Sequence, residues 1–238
     1  MKKSGWWLSS LALGSLLVAG LGRYLTTRGG QATDAAPSAA AFENGMKDHQ
    51  FGQRLFLDAK TKGFDSAEAL AQAAQSIVIA TKTDQHQPTV SYDRDDLIEY
   101  AYTRSDFVVD RVIRSSQLHA GETFAVLENE AYNARQKVTY HIAGYTLMDQ
   151  GARYLLFLNY SDSDGWYIPL GTNTGKVNLD NNGTRYADKV IQAVRDAPTG
   201  GSQGKAGVRE ALLTNAQRDT QIHAAARAKY ARQIAADQ

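Results

Sequence analysis

The sequence predicts a mainly β protein with flanking helices, an α+β class, and three observations carry that prediction. Between Ser76 and Leu179, β-branched and aromatic residues come in short runs separated by polar or glycine-bearing turns. One of these runs, Tyr154-Leu155-Leu156-Phe157-Leu158, is apolar throughout, which suits a strand covered on both faces. Helical spacing of apolar or small residues is confined to the flanks of this region.

The elements follow in order. Asp65-Ser66 opens a short Ala-rich helix, Ala67 to Ala74, with Glu68 in its first turn where the helix dipole favours a negative charge. Strands are predicted at Ser76–Thr81, Leu97–Thr103, Phe107–Ile113, Thr123–Glu128, Val138–Tyr145, Tyr154–Tyr160, Trp166–Leu170 and Lys176–Leu179. In Phe107–Ile113 both alternating faces mix apolar and charged residues, so this strand crosses between buried and exposed surroundings. Ser161-Asp162-Ser163-Asp164-Gly165 supplies a turn that makes a hairpin of the two strands beside it, and Pro169 argues for an edge or a short strand. Tyr186, Val190, Ile191 and Val194 fall at helical spacing up to Ala197. The glycines between Pro198 and Gly207 read as a hinge, and Val208 to about Ala236 as a final helix. Its apolar stripe, Ile222, Ala226, Tyr230 and Ile234, is thin, so the expectation is a tail that docks weakly or orders with a partner.

The N-terminus carries a second signal. Nineteen consecutive uncharged residues, Ser4 to Gly22, follow Lys2 and Lys3. At about 1.5 Å per helical residue they span roughly 28 Å, close to the ~30 Å hydrocarbon thickness of a bilayer. Two readings stand: an uncleaved signal-anchor, or a signal peptide cut after Val18-Ala19-Gly20 or near Ala39. The basic residues favour a cytoplasmic N-terminus and a single-pass cell-membrane protein with its C-terminal body outside. The chain divides into an anchor (1–25), a stalk and linker (26–63), a β-domain with helices (64–197), and a Gly-rich hinge with a helical tail (198–238).

Composition excludes several function classes. The absence of cysteine removes disulfides, thiolate chemistry and a lipid-attachment residue. The segment 64–197 carries twelve Lys/Arg against eighteen Asp/Glu, which is not the footprint of a nucleic-acid binder. Gly200-Gly201-Ser202-Gln203-Gly204 has the letters of a nucleophile elbow, and Gly204-Lys205 the end of a phosphate loop. Neither follows a strand, so both read as linker. Asp162-Ser163-Asp164-Gly165 lacks the first and twelfth ligands of a calcium loop and reads as a turn. The histidines, His49, His86, His119, His141 and His223, lack metal-site spacing, so no metal or cofactor is expected. Asp93, Asp95, Asp96 and Glu99 form the densest carboxylate group, the place where a hydrolase would keep its acid and base; a solvated strand entrance is the simpler reading. Tyr160, Trp166 and Tyr167 gather around the predicted hairpin, with Tyr140 and Tyr145 on the strand before it. They are the candidate ligand-binding residues, because Trp and Tyr anchor binding surfaces; the competing reading is that they fill the interior.

The strand Ser76-Ile77-Val78-Ile79-Ala80, the strand Phe107 to Ile113, the block Gly151 to Leu158, Gly165-Trp166-Tyr167 and Gly175-Lys176-Val177 occur in an order that resembles uncharacterised exported proteins of Gram-positive bacteria. That resemblance covers about half the chain. It implies a small antiparallel β-barrel, similar to the oligonucleotide/oligosaccharide-binding (OB) type, displayed outside the cytoplasm, and carries over no catalytic residues. The expected function is a membrane-anchored, non-enzymatic binding or interaction module whose partner is a protein or a cell-wall glycan. The alternatives are an exported hydrolase of wall polymer or peptide using the Asp93 to Glu99 carboxylates, and an accessory subunit of a membrane complex.

Overall fold

A computed structural model of the protein describes residues 53–57, 62–94, 98–180 and 203–236. The anchor, the stalk and the helix expected over 186–197 lie outside the described residues, and no helix within them is long and apolar enough to cross a membrane. The protein is mainly β with a few helices. The strands are β1 (Gln53–Leu57), β2 (Ser76–Tyr92), β3 (Ile98–Arg114), β4 (Thr123–Glu128), β5 (Glu130–Asn133), β6 (Val138–Ile142), β7 (Arg153–Ser161), β8 (Trp166–Pro169) and β9 (Lys176–Asn178). The helices are α1 (Ala67–Ala73), α2 (Gln203–Lys229) and α3 (Ala231–Ala235).

β2, β3, β4, β8, β7 and β9 form one sheet in that order, and β2 also pairs with β7. All these pairings are antiparallel except β4 with β8. A smaller sheet holds β6 between β1, which runs parallel to it, and β5, which runs antiparallel.

Among the described residues, three apolar clusters account for the packing. The first takes side chains from all of β2 (Val78, Ala80), β3 (Phe107, Val109), β4 (Phe124, Val126), β7 (Tyr154, Leu156, Leu158) and β8 (Tyr167). The second lies on the other face of β2 and β7, where Ile77, Ile79, Leu155 and Phe157 meet α1 through Leu70 and the C-terminal helices through Ile222, Ala226 and Tyr230. Alternate residues of Tyr154–Leu158 thus enter different clusters, the physical reason this strand is apolar at every position. The third joins the far half of the long β2–β3 hairpin to the small sheet, through Val90, Tyr92, Ile98 and Ala101 against Ala131, Val138, Tyr140 and Ile142.

Several local expectations are met. Ser66 caps α1 by accepting from the Ala69 amide at 3.1 Å, and Arg114 covers its other end by donating to the carbonyls of Ala71 and Ala74. β3 does cross between environments. The register shift between Ile79 and Ala80 inverts the alternation, so Val112 joins the same cluster as Phe107 and Val109 while Ile113 joins the helices.

Other elements differ from expectation. The polar stretch Lys82 to Tyr92 continues β2, because beyond Thr81 its main-sheet partner is β3 alone and the polar side chains from Thr83 onward stay at least partly solvated there. Pro88 is tolerated on such a strand because one edge needs no ladder donor. The C-terminal helix does not dock weakly: Ile222, Ala226 and Tyr230 are 3%, 0% and 7% exposed. Polar groups supplement its thin stripe. Thr174 Oγ1 donates to Asp219 at 2.6 Å, His223 Nε2 lies 3.2 Å from the carbonyls of Asn173 and Thr174, and Arg227 donates to the Asn178 carbonyl.

Candidate functional site

The turn after β7 closes with Gly165 at φ +74° and Ser161 Oγ donating to Asp164 at 2.5 Å, which sets the β7–β8 register. Tyr160 opposes Tyr167, and Ser161 opposes Trp166. Because neighbours on a strand point to opposite faces, this register separates the three candidate aromatics. Tyr160 and Tyr167 turn inward, their ring centres 4.9 Å apart, and Tyr167 packs edge-on against Phe124 at 5.4 Å. Tyr167 is buried, and its hydroxyl donates to Gln117 Oε1 at 3.1 Å. Burial raises that hydroxyl above its ordinary pKa, with Glu122 and Tyr160 adding to the effect. Tyr140 and Tyr145 are also interior.

Trp166 turns the other way and joins residues that the sequence reading passed over. Its ring centre lies 5.3 Å from that of Tyr102, which in turn stacks on Tyr100 at 5.8 Å with an interplanar angle of 28°. Three aromatic rings from β8 and β3 therefore form a stripe on the outer face of the sheet. Tyr100 is 40% exposed, the one large hydrophobic side chain classed as exposed among the described residues. Tyr102 and Trp166 are half-buried, and the Trp166 indole N–H has no acceptor among the described residues. Across the β2–β3 pair the stripe is bordered by Ser91 opposite Tyr100, Thr89 opposite Tyr102 and Gln87 opposite Arg104. Arg104 pairs with Asp106 at 3.3 Å along the same face. The signal in the sequence was Tyr100-Ala101-Tyr102-Thr103, where large rings alternate with small residues at the strand period.

The structure gives the other candidates less company. Asp95 and Asp96 lie outside the described residues; Glu99 accepts from Ser91 Oγ at 3.3 Å. His119 Nδ1 lies 3.4 Å from Glu122 in an exposed loop, and among the described residues no group of three or more His, Asp or Glu side chains is arranged to hold a metal ion.

A second constellation was not legible from sequence. Where β4, β5 and β6 meet the 143–149 loop, Lys82, Lys176, Glu128, Glu130 and His141 are all buried. Lys82 Nζ donates to Glu128 Oε1 and, at 2.9 Å, to the Met148 carbonyl. Glu128 Oε2 accepts from the Met148 amide at 2.7 Å and the Tyr145 hydroxyl at 3.1 Å. Glu130 Oε2 accepts from the Leu147 amide at 3.1 Å and lies 2.9 Å from His141 Nδ1, which also faces the Tyr145 carbonyl at 2.9 Å. Both neighbours of Nδ1 are acceptors, so that nitrogen carries the proton. Lys176 donates to the Thr146 carbonyl and sits 3.3 Å above the centre of the Tyr145 ring. Burial opposes ionisation of Glu128, yet the ammonium groups of Lys82 and Lys176 outweigh it and hold the carboxyl below its ordinary pKa. Burial pushes Lys176 down to about 7 although Glu128 and Glu130 pull upward. Lys82 pairs with Glu128 inside the large sheet and His141 with Glu130 inside the small one, and the 143–149 loop, bonded to both sets, links them.

Compared with known proteins, the chain matches no family model, no curated protein and no solved structure.

Proposed function

We propose that the protein is a binding module, held at the outer face of the cytoplasmic membrane by residues 4–22, that engages its partner through the outward stripe Tyr100, Tyr102 and Trp166. The stripe carries the proposal: aromatic side chains left on a sheet surface, when every other large apolar group that is described is more covered, are the usual anchors of recognition. Tyr160 and Tyr167 support that surface from beneath. We further propose a small barrel of the OB type. The reading is supported by β2, β3, β4, β8 and β7 each pairing with two others of the five, and by the single cluster that draws side chains from all of them. Barrels of that type bind along the face of their second and third strands, which here would be β3 and β4.

The test is crosslinking in intact cells that produce the full chain, followed by identification of what is attached. The wild type is expected to yield a discrete adduct that Tyr102→Ala and Trp166→Ala lose while the ion-network variant Tyr145→Phe keeps it. An adduct that persists in both stripe variants, with unfolding midpoints unchanged, refutes the assignment of the face.

A further inference from the structure

The chemistry of the stripe narrows the partner. Resting on the binding-module reading above, we infer that the outer stripe binds a neutral, extended carbohydrate chain. Three observations, joined to the chemistry of sugars, lead there. The ring centres advance by 5.8 and then 5.3 Å, steps of the order of one pyranose unit along an extended glycan. A pyranose offers a face of polarised C–H groups to the electron-rich face of an aromatic ring, and its hydroxyls project at the edges of that contact. Those edges meet hydroxyl and amide groups here, since Thr89, Ser91 and Gln87 lie across from Tyr102, Tyr100 and Arg104. The Arg104 guanidinium on this face is paired with Asp106 at 3.3 Å, so the two together add no net charge that would favour an anion.

Area separates a glycan from a protein. A stable protein interface removes about 800 Å² from each partner around a desolvated apolar centre. One ring that is 40% exposed and two that are half-buried make a strip one side chain wide, far short of such a centre and matched to a chain one sugar wide. The rings are not coplanar: 28° separates Tyr100 from Tyr102 and 58° separates Tyr102 from Trp166. The row is therefore not flat, and it selects a chain whose successive sugar faces can turn.

The experiment is isothermal titration of the full-length chain, purified in a neutral detergent, with cellohexaose, chitohexaose and xylohexaose, and with heparin as an anionic comparator. Binding to at least one neutral chain is expected, unchanged between low and high salt because no charge is screened. Tyr102→Ala and Trp166→Ala should each weaken it about tenfold, equal to about 1.4 kcal/mol, while Tyr102→Phe, which keeps the ring, stays within about twofold, or about 0.4 kcal/mol. Far-UV circular dichroism and the urea midpoint verify that each variant is folded. Failure of all three neutral chains to bind, binding that survives both alanine variants, or binding of heparin alone overturns the inference. If no glycan binds yet the stripe variants still abolish a crosslinked protein adduct in cells, the glycan assignment falls and the binding face stands. If neither readout responds, both fall.

Discussion

Replacing Glu128 by glutamine tests how much the buried ion network, with the 143–149 loop bonded to it, stabilises the fold. The carboxylate receives three donors: Lys82 at Oε1, and Tyr145 and the Met148 amide at Oε2. An amide has one oxygen. Kept toward Met148 and Tyr145, it turns its NH₂ group against the Lys82 ammonium; turned round, it sets NH₂ against two donors and leaves them unpaired. Either way Lys82, itself 4% exposed, becomes a buried cation without its counter-charge. Breaking a buried pair from one side costs about 3–5 kcal/mol. For a domain of this size, that lowers Tm by roughly 6–20 °C. Urea unfolding of the purified chain followed by circular dichroism measures the loss. Adding Lys82→Met removes the stranded cation and frees the Met148 carbonyl for the new amide, so the double variant should recover at least about 1 kcal/mol over the sum of the singles. A loss under about 1 kcal/mol in the single variant, or additive behaviour in the pair, would show that the Lys82–Glu128 pair does not stabilise the fold.

Gly175→Ala would place a Cβ 2.5 Å from the Leu170 carbonyl oxygen and 2.6 Å from its nitrogen. Both are backbone atoms that cannot swing aside, so a loss of about 2–3 kcal/mol is expected by urea titration. Tyr230→Ala empties the space beside Phe157, whose ring centre is 5.9 Å away, and should cost about 3 kcal/mol; protease sensitivity of the C-terminal helices should rise with it. Asp219 is raised by burial to about 6, so the folded state holds the extra proton between pH 3.8 and about 6, and this group lowers stability as pH climbs through that window. Asp219→Asn should therefore match the wild type near pH 4 and exceed it at pH 7, by about 1–3 kcal/mol, in unfolding curves taken at both values. Lys176 acts in the opposite sense at higher pH. Between about 7 and 10.5 the unfolded chain binds its proton and the folded chain does not, so the wild type should gain stability across that range and Lys176→Met should lose the gain.

The local sequence determined the mainly β class, the α1 cap at Ser66, the strand Thr123–Glu128, the β7–β8 hairpin, and the double-sided burial of Tyr154–Leu158. These rest on periodicity, turn chemistry and capping, whose causes lie within a few residues of their effects. Only tertiary structure decided the rest. Lys82–Tyr92 looks too polar for a strand until β3 supplies its partner, and a thin apolar stripe looks too weak to dock until Asp219, His223 and Arg227 meet groups from the 173–178 segment. The outer aromatic stripe joins residues 102 and 166, and the ion network joins residues 82, 128, 141 and 176. Pairings over such separations are set by sheet order and register, which no local pattern of residues records, so both candidate sites emerge only when the strands are laid side by side.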